Sequence, residues 1–206
     1  MKLIKPTYKI IDKIDGEKIL KKIEAIGRTA YKSENKITDN SAKEFVGMII
    51  RRKHLSVIEH ESFSVKFIVD RGISHELVRH RLASFTQEST RYCNYTKGKF
   101  NGEPAFIDLT PHLTKEQRLI WIEELEKAKT AYNALIKAGC SAQIARSVLP
   151  NSLKTEIIVT ANLREWRTIF EQRTDKAAHP QIREVMVPLL EEIKTIIPVI
   201  FDDINY

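Results

Sequence analysis

An α+β fold is what this sequence predicts: one domain over residues 1–206, with helices flanking a central, mostly antiparallel sheet. Three observations carry it. Stretches of helical spacing and stretches of two-residue alternation both occur, but not as regular βαβ units. The 206 residues suffice for one sizeable core, and no repeat or low-complexity linker divides them. The 42% hydrophobic and 30% charged residues are those of a globular chain.

Taken in order, Met1–Ile14 mixes β-branched residues with lysine and predicts a strand running to an Asp15-Gly16 turn. Glu17–Lys32 sets Ile19, Leu20, Ile23, Ile26 and Ala30 at helical spacing. Ser41 is the expected N-cap of a second helix through Phe45, Val46, Ile49 and Ile50. Ser62–Val69 alternates Phe63, Val65, Phe67 and Val69, a half-buried strand. Ile73–Leu82 reads as a helix that would put Glu76, Arg79 and His80 on one face. The polar run Ser84–Arg91 has no sustained apolar period and reads as a loop or short turn. Tyr92–Asp108 reads as short strands and turns.

Pro111–Ala138 is the longest expected helix, capped near Thr114 and ended by Gly139. Its Leu119, Ile122, Leu125, Ala128, Tyr132 and Leu135 form an apolar stripe for the core. Ser141–Val148 is a short helix stopped by Pro150. Leu153–Ala161, rich in Ile, Val and Thr, predicts a central strand. After Asn162 come a helix over Leu163–Arg173 and a last one over His179–Ile197, which Pro198 ends.

Composition narrows the function. There is no stretch of about 18 apolar residues to span a membrane. No cationic and apolar leader opens the chain, so a cytoplasmic location is expected. Two cysteines, Cys93 and Cys140, make no disulfide framework. The net charge of +7 favours anionic partners.

The chemistry concentrates in Arg79-His80-Arg81-Leu82-Ala83-Ser84-Phe85-Thr86-Gln87-Glu88-Ser89-Thr90-Arg91-Tyr92. Arginine forks beside Ser and Thr hydroxyls suit phosphate, because both supply donors and arginine binds bidentately. His54, Glu59 and His60 invite a metal reading, but their spacing is not that of a helical His-Glu-x-x-His site; no metal is expected.

The order Arg-His-Arg, seven residues, Ser, then Arg-Tyr resembles the signature of the flavin-dependent thymidylate synthases. Three further segments resemble that family in the same order: His54-Leu55-Ser56 with Glu59-His60 before a Phe-rich strand, Ile144-Ala145-Arg146-Ser147-Val148-Leu149-Pro150, and Asn162-Leu163-Arg164 with Arg173 beyond it. The resemblance implies the family's fold and its reaction, dUMP to dTMP. The carbon would come from 5,10-methylenetetrahydrofolate and the reducing equivalents from NADPH through FAD. It also implies a homotetramer with active sites at subunit interfaces.

Carried over residue by residue, the resemblance assigns FAD to Ser56, Arg79, His80, Arg81, Gln87, Asn162, Arg164 and Thr168. It assigns dUMP to Glu76, Arg79, Gln87, Glu88, Ser89, Thr90, Arg91, Arg146 and Arg173, with Ser89 and Arg91 on the phosphate. His54 falls on the folate side. Arg173 is the catalytic candidate, set against the uracil, where a guanidinium that never titrates stabilises developing negative charge. Glu76, Gln87, Gln143 and Thr168 depart from the commonest family residues. No Gly-x-Gly-x-x-Gly follows a strand, so neither FAD nor NADPH is expected on a Rossmann unit.

Other readings compete. Cys93 beside Arg91-Tyr92 is a tempting nucleophile, but no pattern places a base beside it, and a structural role fits better. Ser89 lacks a Ser-His-acid order. A basic nucleic-acid-binding module without activity is the main rival, with a steep salt dependence and no colour. A metallohydrolase on His54, Glu59, His60 and His75 is the third; the expected partners exclude nucleic acid and membrane. Finally, Arg173 lies nine residues beyond Arg164, about two and a half helical turns, so one straight helix aims them oppositely. They would then reach the flavin of one active site and the nucleotide of another, unless a bend near Gln172 swings Arg173 round.

Overall fold

The computed structural model describes residues 1–100 and 102–206. The chain sorts into two compact units of interleaved segments. The first holds Met1–Thr7, Phe67–Arg79 and Thr86–Ile157; the second holds Tyr8–Lys66, His80–Phe85 and Ile158–Tyr206.

Helices and sheet segregate as an α+β fold requires. Strands β2 (Thr7–Ile10), β3 (Ser62–Asp70), β4 (Ala83–Gln87) and β6 (Lys154–Asn162) form one sheet in the order β2-β3-β6-β4. β3 and β6 run antiparallel, since Glu61 O accepts from Leu163 N at one end and Leu153 O from Arg71 N at the other. A parallel pair, β1 (Lys2–Ile4) with β5 (Ala105–Ile107), forms a second sheet, linked by a Phe106–Leu153 bridge to the residue before β6. The expected single N-terminal strand is thus two, with Pro6 between them unable to donate to a ladder.

In the second unit, α1 (Gly16–Tyr31) starts where the Asp15 Oδ1 accepts from Lys18 N at 3.0 Å. Asp15-Gly16 is therefore a helix cap and first residue rather than a hairpin turn. Gly16 is required there, since a Cβ would meet Ile196 O at 1.8 Å. In α2 (Ser41–Arg51) the cap position is Asn40, and Ser41 instead accepts from Thr38 N and donates to Glu24. Phe63 stacks on Trp166 at 4.7 Å, and the indole N–H donates to Phe63 O. Ile23, Val46, Ile49, Val65, Phe170 and Phe201 fill the core around them. α6 (Leu163–Arg173) begins on the Asn162 side chain, which accepts from Glu165 N, and α7 (Pro180–Ile196) begins on His179.

In the first unit, α4 (Lys115–Lys137) opens with a full Thr114/Gln117 capping box. Leu125 and Tyr132 are buried, but Leu119 at the start of the expected stripe is 69% exposed. The chain continues through α5 (Ala142–Ala145) and a 3₁₀ turn, Arg146–Val148.

Two expectations around the central stretch fail. The helix there, α3 (Arg71–Leu77), starts on the Asp70 side chain and ends before Arg79 and His80, so Glu76, Arg79 and His80 do not share a helical face. The run read as a loop contains strand β4, whose residues alternate between half-buried and exposed. Local periodicity loses here to tertiary partners: His80 is drawn inside, and the chain is extended by Ala83 to lie beside β6.

Candidate functional site

The first unit gathers cations and hydroxyls about a cavity of about 300 Å³, lined by Arg71, His75, Thr90, Arg146, Ser147 and Asn151 among others. Arg146 donates to the Thr90 hydroxyl at 2.7 Å, and Thr90 is buried. Arg71 presents a buried NH1 with no hydrogen-bond partner in the protein. A buried guanidinium N–H left open beside a second arginine and several hydroxyls is a donor set for a phosphate or carboxylate. Ser89 O receives N–H bonds from Tyr92 and Cys93, which folds 89–93 into a tight turn and leaves Arg91 exposed.

Around this cavity the other candidates are held firmly. Gln87 donates its amide to Ser74 Oγ at 2.8 Å and Thr155 Oγ1 at 3.2 Å. Both hydroxyls accept here, and the glutamine amide supplies the two N–H groups they take. Glu88 accepts from Tyr95 at 2.9 Å and from Lys154 at 2.8 Å. Burial and the Glu88 charge hold the Tyr95 phenol far above its ordinary value. Burial pulls the Lys154 ammonium down, but its bonds to Glu156 and Glu88 win and its pKa rises. The Glu88 carboxylate, expected on the nucleotide, is thus occupied within the protein. Glu76 is half-buried on α3, and Arg79 is exposed just beyond it.

The second unit carries most of the residues expected on the flavin, and several of them already have partners within the protein. Arg164 is bound to Glu59 at 2.6 Å. His54 shares a 3.0 Å hydrogen bond with Tyr31. Ser56 lies exposed on the 3₁₀ turn Leu55–His60, and Arg81 is exposed. Asn162 spends its side chain on the α6 cap, and Thr168 makes only a long 3.4 Å bond to Arg164 O. His80 is 5% exposed. Its Nε2 accepts from Arg173 Nε at 3.1 Å, and its Nδ1 lies 3.4 Å from the Glu165 carboxylate. Burial, with the Arg173 charge, pushes the imidazole pKa down to about 4, so the ring is neutral and the Glu165 contact is no ion pair. Burial pushes the Glu165 carboxyl up.

α6 is continuous over Leu163–Arg173, and its two arginines make different partners, Glu59 for Arg164 and His80 for Arg173. Arg173 lines a hollow of about 420 Å³ with Gln172, Asp175 and Ala178. Among the described residues no group of three or more His, Cys, Asp or Glu gathers to hold a metal, and no helix is long and apolar enough to cross a membrane. Cys93 and Cys140 are free thiols packed beside the Tyr95–Phe106–Tyr132 core.

A sequence profile of the family described as "Thymidylate synthase complementing protein" matches residues 9–199. The flavin-dependent thymidylate synthase of Geobacter sulfurreducens is 36% identical over 169 residues, covering 82% of this chain and 72% of that one. The chain belongs to the flavin-dependent thymidylate synthase family. Its relative from Pyrococcus furiosus is 34% identical, covering 81% of this chain and 68% of that one. The UMP/dUMP methylase PolB from Streptomyces cacaoi, solved with 5-Br dUMP, has a TM-score of 0.80 at 24% identity, over 98% of this chain and 96% of that one. At that identity the likeness shows the fold.

Within this member of the family, the structure adds residues that the motifs did not mark. Arg71 and Ser147 join the cation-lined cavity, and Ser74 and Thr155 fix Gln87. Glu165 sits under His80. Arg71 had one usable signal, an arginine directly behind the Asp70 cap. Glu165 had none, since an acid in a first helical turn is ordinary. Gln143 is exposed on α5, and nothing in the structure explains its departure from the frequent acid.

Proposed function

We propose that this chain makes dTMP from dUMP by reductive methylation in the cytoplasm, taking the carbon from 5,10-methylenetetrahydrofolate and the reducing equivalents from NADPH. The observation that carries the reading is the family match over residues 9–199, and on its length we read the chain as one functional domain. The flavin donor set fits its group chemically: guanidiniums at Arg79, Arg81 and Arg164, hydroxyls at Ser56 and Thr168, and the Asn162 amide suit a pyrophosphate and ring heteroatoms. Bound FAD supplies the hydride chemistry.

The chain's own residues bind and orient. Ser89, Thr90, Arg91 and Arg146, together with the open N–H of Arg71, hold the nucleotide phosphate, and that binding energy fixes the pyrimidine. Glu76, Arg79 and Gln87 complete the nucleotide contacts, and His54 stands toward the folate. Arg173 stabilises negative charge building on the uracil, with no protein nucleophile taking part. In a homotetramer, Arg164 and Arg173 of one subunit serve different active sites, which their different partners support.

The deciding experiment is purification followed by assay. The protein is expected to be yellow, and to form dTMP only when dUMP, the folate, NADPH and FAD are all present. A colourless protein that takes up no FAD and consumes no NADPH with dUMP overturns the reading; steep salt-dependent binding of oligonucleotides in its place would favour the nucleic-acid rival.

A further inference from the structure

Arg173 closes α6, and the last residue of a helix has little neighbouring backbone to hold a long side chain. Yet its Nε–H is directed at one acceptor, the Nε2 of a buried histidine. That geometry fixes the proton inventory. An Nε2 that accepts from Arg173 carries no proton, so the neutral ring keeps its proton on Nδ1. The group facing Nδ1 is the Glu165 carboxylate at 3.4 Å, itself only 7% exposed. Glu165 precedes Arg173 by eight residues, two turns and about 80° along α6, so both reach the same flank of the helix.

We propose that Glu165 and His80 are positioning residues for Arg173: Glu165 selects the Nδ1–H tautomer of His80, and the bare Nε2 then holds the Arg173 guanidinium by its Nε edge in one orientation. The proposal rests on the reading of this chain as a thymidylate-forming enzyme, with Arg173 at the uracil.

Two features support it. Protonating His80 would set an N–H against the Arg173 N–H, and the low histidine pKa of about 4 keeps the ring out of that state near neutrality. Both ring nitrogens of His80 are engaged inside the unit, so within the Arg-His-Arg triplet the exposed Arg79 and Arg81 remain for the flavin phosphates, and the histidine does other work. At 3.4 Å the Glu165 oxygen lies at the long end for an acceptor, and what the Nδ1–H takes from it is an acceptor oxygen rather than a charge.

The test combines a signature with kinetics, on the FAD-loaded enzyme. Two-bond nitrogen–proton couplings of ¹⁵N-histidine protein, with His80 assigned by its loss in His80→Gln, report the tautomer directly. Wild type should show Nδ1–H. Glu165→Leu should shift His80 toward Nε2–H and lower kcat about tenfold or more while moving KM for dUMP less than threefold. Glu165→Gln keeps an acceptor and should recover most of both. An Nε2–H signature in wild type overturns the proposal. So does a Glu165→Leu enzyme with kcat unchanged, or a kcat loss that Glu165→Gln does not relieve. A wild type that forms no dTMP sinks the functional reading instead, and the tautomer pattern then decides the His80 relay alone.

Discussion

The two units meet the same problem, anchoring cationic side chains, in opposite ways. In the second unit, Arg164 already has Glu59, His80 has Arg173 and Glu165, and His54 has Tyr31. In the first, Arg71 keeps a buried N–H open, and Arg91 stays exposed beside the turn at Ser89. An unsatisfied buried donor costs stability, of order 1–3 kcal/mol. Arg167 Nε in the second unit is another, so the contrast lies in the candidate-site residues and not in the units' whole inventories. On the proposed reading, the first unit accepts an anion from outside. The second orients its own groups beforehand. That contrast separates residues whose loss should weaken binding from residues whose loss should slow turnover.

The sharpest way to break the contrast is Arg173→Ala. It removes a donor aimed at developing charge, and such losses cost about 10²–10³ in rate. FAD content and the KM for dUMP should change little. Turnover measured at saturating dUMP checks it; unchanged turnover would strip the second unit of its catalytic role.

Arg71→Met should do the reverse. Losing a charge-assisted bond to phosphate raises KM for dUMP roughly ten- to hundredfold, with kcat at saturation nearly kept. Deoxyuridine, which lacks the phosphate, should be used equally poorly by both proteins. If Arg71→Met leaves the KM for dUMP unmoved, the cavity of about 300 Å³ is not the phosphate site.

How much of this was legible beforehand follows the same division. α6 was bounded to the residue, because Asn162 is a strong cap and the Trp166–Phe170 face has clear helical spacing. β3 declared itself through four alternating apolar residues, and α4 through the Thr114 cap and the Gly139 stop. The catalytic-looking polar stretch misled. β4 has alternation, Ala83, Phe85 and Gln87 against Ser84 and Thr86, but its polar members hide the period. α3 stops at Leu77 because His80 has partners almost a hundred residues later in the chain, which no local window registers. The motif arginines could be named from their order; what each one faces could not. Glu165 stayed invisible for that reason, and Arg71 nearly so, its one local signal being its place behind the Asp70 cap.

The smallest expected effect concerns acid stability, and it tests whether the second unit is wired as drawn. The His80 pKa falls from an ordinary 6.5 to about 4, first through burial and then through the Arg173 charge. As pH drops below 6.5 the unfolded chain takes up this proton while the folded chain refuses it. The stability His80 contributes is therefore complete above about 6.5 and declines as pH falls toward 4. Glu165, its carboxyl raised by burial, acts with the opposite sign: its contribution is present below the ordinary carboxylate value and is lost as pH rises through the raised one. Both terms share the acid range, so the single wild-type curve does not separate them, and a difference does. Denaturant unfolding of wild type and His80→Gln, followed from pH 7 to pH 4, should show the variant losing less stability on acidification, because glutamine has no proton to refuse. Parallel curves would mean that His80 is free to charge in the folded protein. Its Nε2 could then not be the bare acceptor that holds Arg173, and the second unit would be as open to outside partners as the first.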